Sequence, residues 1–140
     1  MRNDAIALLK KKGYYPLKSS LWKYFKFTQV KPRNRQDFIN NIELLKQQTG
    51  VRKGIYIYIN NSNEVLYIGK GNPIKDRLIS HYKKLSKTVL NNDKRTMFFQ
   101  QNEGNVKIYW LEIENQEERE LVEHLLAFVL NPLYRKWRPI

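Results

Sequence analysis

The order of the predicted elements favours an α+β fold, in which a small three-stranded antiparallel sheet is flanked by helices and preceded by a helical N-terminal extension. Three patterns support this fold: a hairpin that begins at Gly54, a third strand over 106–113, and helical periodicity on both sides of these strands. Because only residues 60–63 join the first two strands, those strands must run antiparallel. The chain has 140 residues, which suits one core with a small appendage.

The N-terminal region predicts helices over 3–12 and 35–48, and the second of these carries an apolar stripe and ends at Gly50. The segment 20–29 between them mixes aromatic and basic residues, and its periodicity does not distinguish a helix from a strand. We therefore expect two parts, a basic helical extension over 1–53 and a sheet-containing domain over 54–140.

From Gly54 onwards, strands are predicted over 54–59, 64–69 and 106–113, where β-branched and aromatic residues are concentrated. Helices are predicted over 75–86, 90–101 and 116–130. The last helix begins with an acidic turn, which suits the positive end of its dipole, and it ends before Pro132.

The charge of the chain indicates a polyanionic partner. The formal net charge is +13, and residues 1–53 hold 13 Lys and Arg against 3 Asp and Glu. Nucleic acid is the leading candidate partner, and an anionic membrane surface is a weaker one. No apolar run approaches the roughly 20 residues that cross a bilayer, so we expect a soluble intracellular protein, cytoplasmic or, in a eukaryote, nuclear. The chain has no cysteine, which excludes disulfides and thiol catalysis.

Basic residues outside the predicted core are the candidates for nucleic-acid contacts. The extension contributes Lys10, Lys11, Lys12, Lys23, Lys26, Arg33 and Arg35, and the following domain contributes Lys70 and Lys84. Trp22, Tyr24, Phe25 and Phe27 lie among these lysines and could stack on bases, although we expect at least half of them in the core.

The predicted hairpin places Tyr56 opposite Tyr67 if its four-residue loop fixes the register. Side chains alternate along a strand, so one face carries Ile55, Ile57, Ile59, Leu66 and Ile68, and the other carries Tyr56, Tyr58 and Tyr67. A cross-strand tyrosine pair is also common packing, and this pair alone does not indicate catalysis.

Two helices carry further candidate site residues. In 75–86, Arg77, His81 and Lys84 share a face and could bind a phosphate beside Lys70, or they could form a solvated basic face.

In the predicted helix 116–130, the buried face is centred on Leu121, Val122, Leu125, Phe128 and Val129. Glu123 lies at the margin of that face, whereas Glu120 and His124 point to solvent. Such a carboxylate is a metal ligand, an ion-pair partner or a surface residue.

Taken in order, these residues resemble the GIY-YIG nuclease superfamily from Gly54 to about Tyr134. The two motif tripeptides stand at 54–56 and 67–69, with ten residues between their tyrosines, and Arg77 precedes His81 by four residues. Glu123 precedes Asn131-Pro132 as the family's metal-binding Glu precedes a similar ending. The continuation YIGKG is similar to the branch that includes LEM-3-like nucleases. One departure is Arg135, which follows Tyr134 where many members have Asn.

The resemblance implies a metal-dependent DNA endonuclease that hydrolyses phosphodiester bonds at a single site. Its catalytic residues would be Tyr56, Tyr67, Arg77, His81 and Glu123, and Glu123 would hold Mg²⁺ or Mn²⁺. Tyr56 would take a proton from the attacking water, directly or with His81 as acceptor, and Tyr67 would position the phosphate or water. A free phenol has a pKa near 10, so Tyr56 would need nearby positive charge.

Two other function classes compete with this interpretation. A non-catalytic nucleic-acid-binding module of the same fold would account for the charge, but such a descendant would often have lost part of the catalytic set, and here the whole set is retained. The strong basic charge argues against a structural or protein-interaction domain, because neither class requires it.

Overall fold

The computed structural model describes residues 1–90 and 93–135. Its elements are, in chain order, α1 (Arg2–Lys11), β1 (Lys23–Gln29), α2 (Arg35–Thr49), β2 (Gly54–Asn60), β3 (Val65–Gly71), α3 (Ile74–Lys83), a 3₁₀ turn (Lys84–Ser86), α4 (Lys94–Gln101), β4 (Gly104–Glu112) and α5 (Gln116–Leu130). The helix predicted over 90–101 is thus observed from Lys94, and residues 91 and 92 of that prediction lie outside the described residues.

The strands form one sheet in the order β1-β4-β2-β3, and every neighbouring pair is antiparallel. The predicted α+β class with an antiparallel sheet and flanking helices is confirmed, but the sheet has four strands and the predicted number of three was wrong. The added strand is β1, so the N-terminal region is not wholly helical. Phe25 and Phe27 are buried while Tyr24 and Lys26 are exposed, which is the two-residue alternation of a strand.

Helices cover both faces of this sheet and bury a core on each. One core contains Tyr56, Tyr58 and Tyr67 together with residues of α2, α3 and α4. The other contains Ile55, Ile57 and Ile68 together with residues of α1 and α5. We call these the tyrosine face and the isoleucine face. In the part of the chain that the structure describes, no helix is both long enough and apolar enough to span a membrane.

The β2–β3 register differs from the predicted one by two residues, so that Tyr58 lies opposite Tyr67 and Tyr56 lies opposite Gly69. The loop causes this shift. Asn60 accepts hydrogen bonds through its side chain from the amides of Ser62 and Glu64, and just before it, between Tyr58 and Ile59, the pairing shifts by one residue as in a β-bulge. An even shift keeps the tyrosines on one face, but Leu66 moves from the predicted isoleucine face to the tyrosine core.

The helix α5 has the predicted bounds, but its buried face is rotated from the predicted one. Leu121 and Phe128 are exposed, while Arg119, Glu123 and Ala127 are buried. Arg119 can lie inside because its guanidinium donates to the carbonyl oxygens of Ile113 and Glu114. The rotation moves Glu123 from the expected margin into the interior, where its side chain is within reach of the sheet.

Candidate active site

A short hydrogen bond joins Tyr56 of β2 to His81 of α3. The phenol oxygen and Nε2 are 2.6 Å apart, and both side chains are fully buried. His81 lies deeper than the half-buried position that its helical spacing suggested. Phe99 of α4 stacks on its ring at 4.6 Å, and the ring of Tyr67 meets it edge-on at 4.8 Å. The imidazole is therefore fixed by aromatic packing against the tyrosine face.

The glycine at 69 makes room for Tyr56. An added Cβ at Gly69 would overlap the hydroxyl and the adjacent ring carbon of Tyr56, its partner across the strands. The first motif glycine, Gly54, is needed for another reason, because a Cβ there would overlap the carbonyl of Leu111 on β4. Both glycines of the two tripeptides thus allow close approaches in the sheet.

Arg77, one turn before His81 on α3, brings positive charge to the tyrosines. Its guanidinium lies close enough to the phenols of Tyr56 and Tyr67 to act on the charge of both. Burial alone would lower the pKa of Arg77, but these phenols hold its pKa above the ordinary value. One arginine therefore acts on a tyrosine from each of the two motifs, and its planar fork has the geometry that binds phosphate oxygens.

Burial raises the pKa of all three tyrosines on this face, and it raises those of Tyr56 and Tyr58 well above 10. The neighbouring phenols raise the pKa of Tyr56 further, whereas Arg77 lowers it. Tyr56 is consequently a neutral phenol in the unliganded protein. To accept a proton it must lose its own in the same step, and the atom within reach for that proton is Nε2 of His81.

Glu123 reaches the same cluster from α5. Glu123 is 3% exposed, and its charge contributes to raising the pKa of Tyr67, after the larger effect of burial. Among the described residues, no group of three or more His, Asp or Glu could hold a metal. A single carboxylate is nevertheless a suitable donor set for Mg²⁺, which keeps several waters and takes its other ligands from substrate phosphates.

Two residues of the site wall were not predicted. Tyr134 follows α5, and its amide donates to the carbonyl of Leu66, which places its ring 5.2 Å from that of Tyr67. Arg95 of α4 lies over the ring of Tyr134 at 5.8 Å, and its charge lowers the pKa of Tyr67. The sequence signal for Arg95 was weak, because the helix that carries it has little amphipathic character.

The structure brings Tyr56, Tyr67, Arg77, His81 and Glu123 into one cluster, but it does not bring the predicted nucleic-acid-binding cations together. Lys70 lies on the isoleucine face and pairs with Glu120 at 3.2 Å. Lys12 pairs with Glu118 and Arg33 with Asp37. Lys23 lies over the ring of Trp110. The exposed residues Lys10, Lys11, Lys26 and Arg35 are spread over α1, β1 and α2. Lys84 alone of this set lies close to Arg77.

A family model described as a UvrC-like GIY-YIG domain matches residues 52–135, more than half of the chain. The chain therefore belongs to the GIY-YIG nuclease superfamily, as its motifs predicted. No curated protein matches the chain. Proteins of this family are typically endonucleases that act on DNA with a divalent metal ion. The predicted similarity to the LEM-3-like branch stays a prediction.

Proposed function

We propose that this protein is a metal-dependent DNA endonuclease with one active site, formed by Tyr56, Tyr67, Arg77, His81 and Glu123. The observation that carries the proposal is the 2.6 Å hydrogen bond between the Tyr56 hydroxyl and His81 Nε2, with Arg77 at the same phenol. A buried phenol that has both a proton acceptor and a cation beside it is suited to move a proton next to a phosphate.

The proton path follows from this geometry. A water molecule attacks phosphorus and gives its proton to the oxygen of Tyr56, while Tyr56 passes its own proton to Nε2 of His81. This requires the neutral His81 tautomer in which Nε2 is unprotonated. The bond from phosphorus to the 3′ oxygen breaks, and that oxygen takes a proton from solvent. Tyr56 is never a free phenolate in this path, which is consistent with its raised pKa.

Arg77 and Tyr67 bind and orient the phosphate. The guanidinium donates to phosphate oxygens, where negative charge increases as water attacks. Tyr67 lies near that guanidinium and, being a neutral phenol, can donate to a phosphate oxygen or to the attacking water. The ring of Tyr67 is held by His81, Phe99 and Tyr134 before substrate arrives, so little ordering of this phenol is needed on binding.

Glu123 is the residue that would hold the divalent ion. Its buried carboxylate near Tyr67 fits the preference of Mg²⁺ for a carboxylate, waters and substrate phosphate. When bound there, the ion supplies positive charge to the phosphate oxygens and the leaving 3′ oxygen.

Incubation of the protein with supercoiled plasmid and with branched DNA, in Mg²⁺, Mn²⁺ or EDTA, tests this function. We expect nicked, linear or resolved products with either metal and none with EDTA. Arg77→Ala should impair cleavage and also weaken binding, since the guanidinium contacts the ground-state phosphate. DNA binding without cleavage, under all metal conditions and with all DNA forms, would instead favour the non-catalytic binding module.

A further inference from the structure

Four basic side chains converge beside the active site from three consecutive elements. Arg77 lies on α3, Lys84 begins the 3₁₀ turn and Lys87 follows it, and Arg95 lies on α4. Lys84 is partly buried, and Lys87, Arg77 and Arg95 are all close enough to act on its charge. Like charges placed together in a half-buried position repel one another, so this arrangement is unfavourable in the unliganded protein.

Specific hydrogen bonds hold this arrangement in place. The Lys84 Nζ donates to Ser80 Oγ at 2.9 Å, one turn earlier on α3. The side-chain amide of Gln100 on α4 donates to the backbone carbonyls of both Lys84 and Lys87, at 2.9 and 2.7 Å. The 3₁₀ turn is therefore tied to the helix that carries Arg95, and the two cationic segments are fixed relative to each other.

The described residues contain no salt-bridge partner for these four cations. Asp93 is the acidic residue that acts on Lys84, but its carboxylate already accepts from the amide and hydroxyl of Thr96. In addition, Nε of Arg95 is buried and has no hydrogen-bond partner among the described residues. The cluster thus has uncompensated positive charge and a hydrogen-bond donor without a partner among the described residues. A bound anion would neutralise the charge and accept from the donor.

We propose that Lys84 and Arg95 form a second phosphate-binding position, which takes a backbone phosphate adjacent to the phosphate bound at Arg77. This inference rests on the proposed function, because it takes the ligand to be the same DNA strand that enters the active site. Arg95 faces Tyr67 and Tyr134, whereas Arg77 faces Tyr56 and Tyr67. The ring of Tyr67 lies 6.1 Å from that of Tyr56 and 5.2 Å from that of Tyr134. Arg77 acts on the first of these pairs and Arg95 on the second, an arrangement that suits neighbouring phosphates along one strand.

The depressed pKa of Lys84 supports this assignment. Burial first, and then Lys87, Arg77 and Arg95, lower it to about 8, while Asp93 opposes the shift. A phosphate bound at Nζ would favour the charged form and raise the pKa again. Binding should therefore draw a proton onto Lys84 when it starts from a pH near or above 8.

The test measures the affinity of a short labelled DNA duplex in EDTA, as a function of salt, for the wild type and for Lys84→Gln and Arg95→Gln. Each substitution removes one charged contact, so we expect affinity to fall about tenfold. The slope of log affinity against log salt should become shallower by about 0.9. Lys83→Gln and Lys94→Gln change the exposed neighbours in sequence and should leave the slope unchanged.

A wild-type slope and affinity in both Lys84→Gln and Arg95→Gln would overturn the inference, even if the protein cleaves DNA. Equal losses in the two control variants would also overturn it, because they would show a diffuse charge effect in place of a site. Failure of the proposed function is separate, since it would appear as a wild-type protein that does not cleave DNA in Mg²⁺ or Mn²⁺. Thermal melting of each variant checks that it is folded.

Discussion

The ring of Tyr56 lies against the backbone of Gly69, directly across the β2–β3 ladder, so the last glycine of the second motif provides the space that the tyrosine of the first motif occupies. The same hydroxyl that fills this space is hydrogen-bonded to His81. The distance between the phenol and the imidazole therefore depends on the absence of a side chain at position 69.

Gly69→Ala should displace the Tyr56 hydroxyl and separate it from His81. The added methyl overlaps the end of the Tyr56 side chain, so the ring must rotate while the strand pairing can remain. Misplacing a reacting group by about 1 Å can cost on the order of a hundredfold in rate. We expect a loss of that size in kcat, measured on supercoiled plasmid, with DNA affinity nearly unchanged. Wild-type kcat in this variant would show that the Tyr56–His81 contact does not limit the reaction.

Tyr56→Phe and Tyr58→Phe provide a matched pair on one strand and one face. Tyr56 hydrogen-bonds His81, whereas the buried hydroxyl of Tyr58 has no hydrogen-bond partner among the described residues. Tyr56→Phe should abolish cleavage. Tyr58→Phe should retain activity and stabilise the fold by about 1 kcal/mol, because it removes a buried unsatisfied polar group. Plasmid nicking and urea unfolding measure the two effects. Equal loss of activity in both variants would place the proton path elsewhere.

Glu123→Gln and Glu120→Gln compare two carboxylates on α5. Glu123 is 3% exposed and lies near Tyr67, whereas Glu120 forms a half-exposed pair with Lys70. Loss of the metal ligand should reduce the cleavage rate on the order of a thousandfold or more, with DNA binding intact or stronger because a negative charge near phosphate is gone. Glu120→Gln should cost little, since exposed ion pairs contribute little.

A second measurement on the same two variants does not depend on cleavage. A ligand that binds only the folded state raises its melting temperature. Saturating Mg²⁺ or Mn²⁺ should therefore raise the melting temperature of the wild type and of Glu120→Gln, but not that of Glu123→Gln. A metal-induced increase that persists in Glu123→Gln would place the metal site at other residues.

The sequence predicted the fold class, the family and the bounds of α5. These follow from the hydrophobic periodicity of single elements and from the order of short motifs, both of which can be read along the chain. It did not predict β1, since KYFKFTQ combines strand-like alternation with the basic character of the surrounding helices. The strand becomes clear only when Phe25 and Phe27 find a core and β4 offers a free edge. A local sequence pattern does not show which distant strand a segment will pair with.

The relative positions of side chains were harder to predict than the elements. The β2–β3 register depended on the Asn60 side chain in the loop, and the rotation of α5 depended on whether Arg119 could be satisfied inside. Each of these contacts moved a residue that bears on the site, since the register decides what lies opposite Tyr56 and the rotation buries Glu123. Arg95 was missed because its role arises from the packing of α4 beside Tyr134, which no spacing in the sequence encodes.

Lys84→Met should make the protein more stable at neutral pH. In the folded protein the pKa of Lys84 is about 8, lowered by burial, Lys87, Arg77 and Arg95, whereas an unfolded lysine titrates near 10.4. Below pH 8, Lys84 is charged in both the folded and the unfolded state, and its burial and the neighbouring cations then destabilise the folded state. Between pH 8 and 10.4 the unfolded state binds more protons, so wild-type stability gains from Lys84 as pH rises.

The advantage of Lys84→Met should therefore be greatest below pH 8 and should shrink towards pH 10. Allowing for solvent screening of this partly exposed group, we expect about 1 kcal/mol, or roughly 4 °C in melting temperature. Circular dichroism melts at pH 7 and at pH 9.5 measure it, with Lys83→Met as the control. A variant less stable than the wild type at pH 7 would mean that the Ser80 contact outweighs the repulsion.

Deletion of residues 1–50 should unfold the protein, which bears on how the basic N-terminal region can be studied. The deletion removes β1 and with it the buried rings of Phe25 and Phe27, takes Leu45 from the same core, and exposes the edge of β4. Losing a buried Phe alone costs about 3–5 kcal/mol, and typical total stability is about 5–15 kcal/mol. We expect no cooperative melt by circular dichroism, so loss of DNA binding in this truncation would say nothing about its charges.

Substitution of exposed lysines separates the loss of charge from the loss of folding. Lys10, Lys11 and Lys26 are exposed and form no ion pair among the described residues, so changing all three to Gln should leave the melting temperature nearly unchanged. If each contacts one phosphate, the slope of log affinity against log salt should become shallower by about 2.7. Anisotropy titrations with a labelled duplex at several salt concentrations measure this slope. Lys10 and Lys11 lie on α1, which packs on the isoleucine face, and Lys26 alternates along β1 with Phe25 and Phe27 of the tyrosine core, so its side chain points to the opposite side of the sheet. Because the candidate active site lies on the tyrosine face, a full effect of all three lysines would require DNA to extend around the edge of the sheet. An unchanged slope would instead confine the DNA to the tyrosine face and its cations Arg77, Lys84 and Arg95.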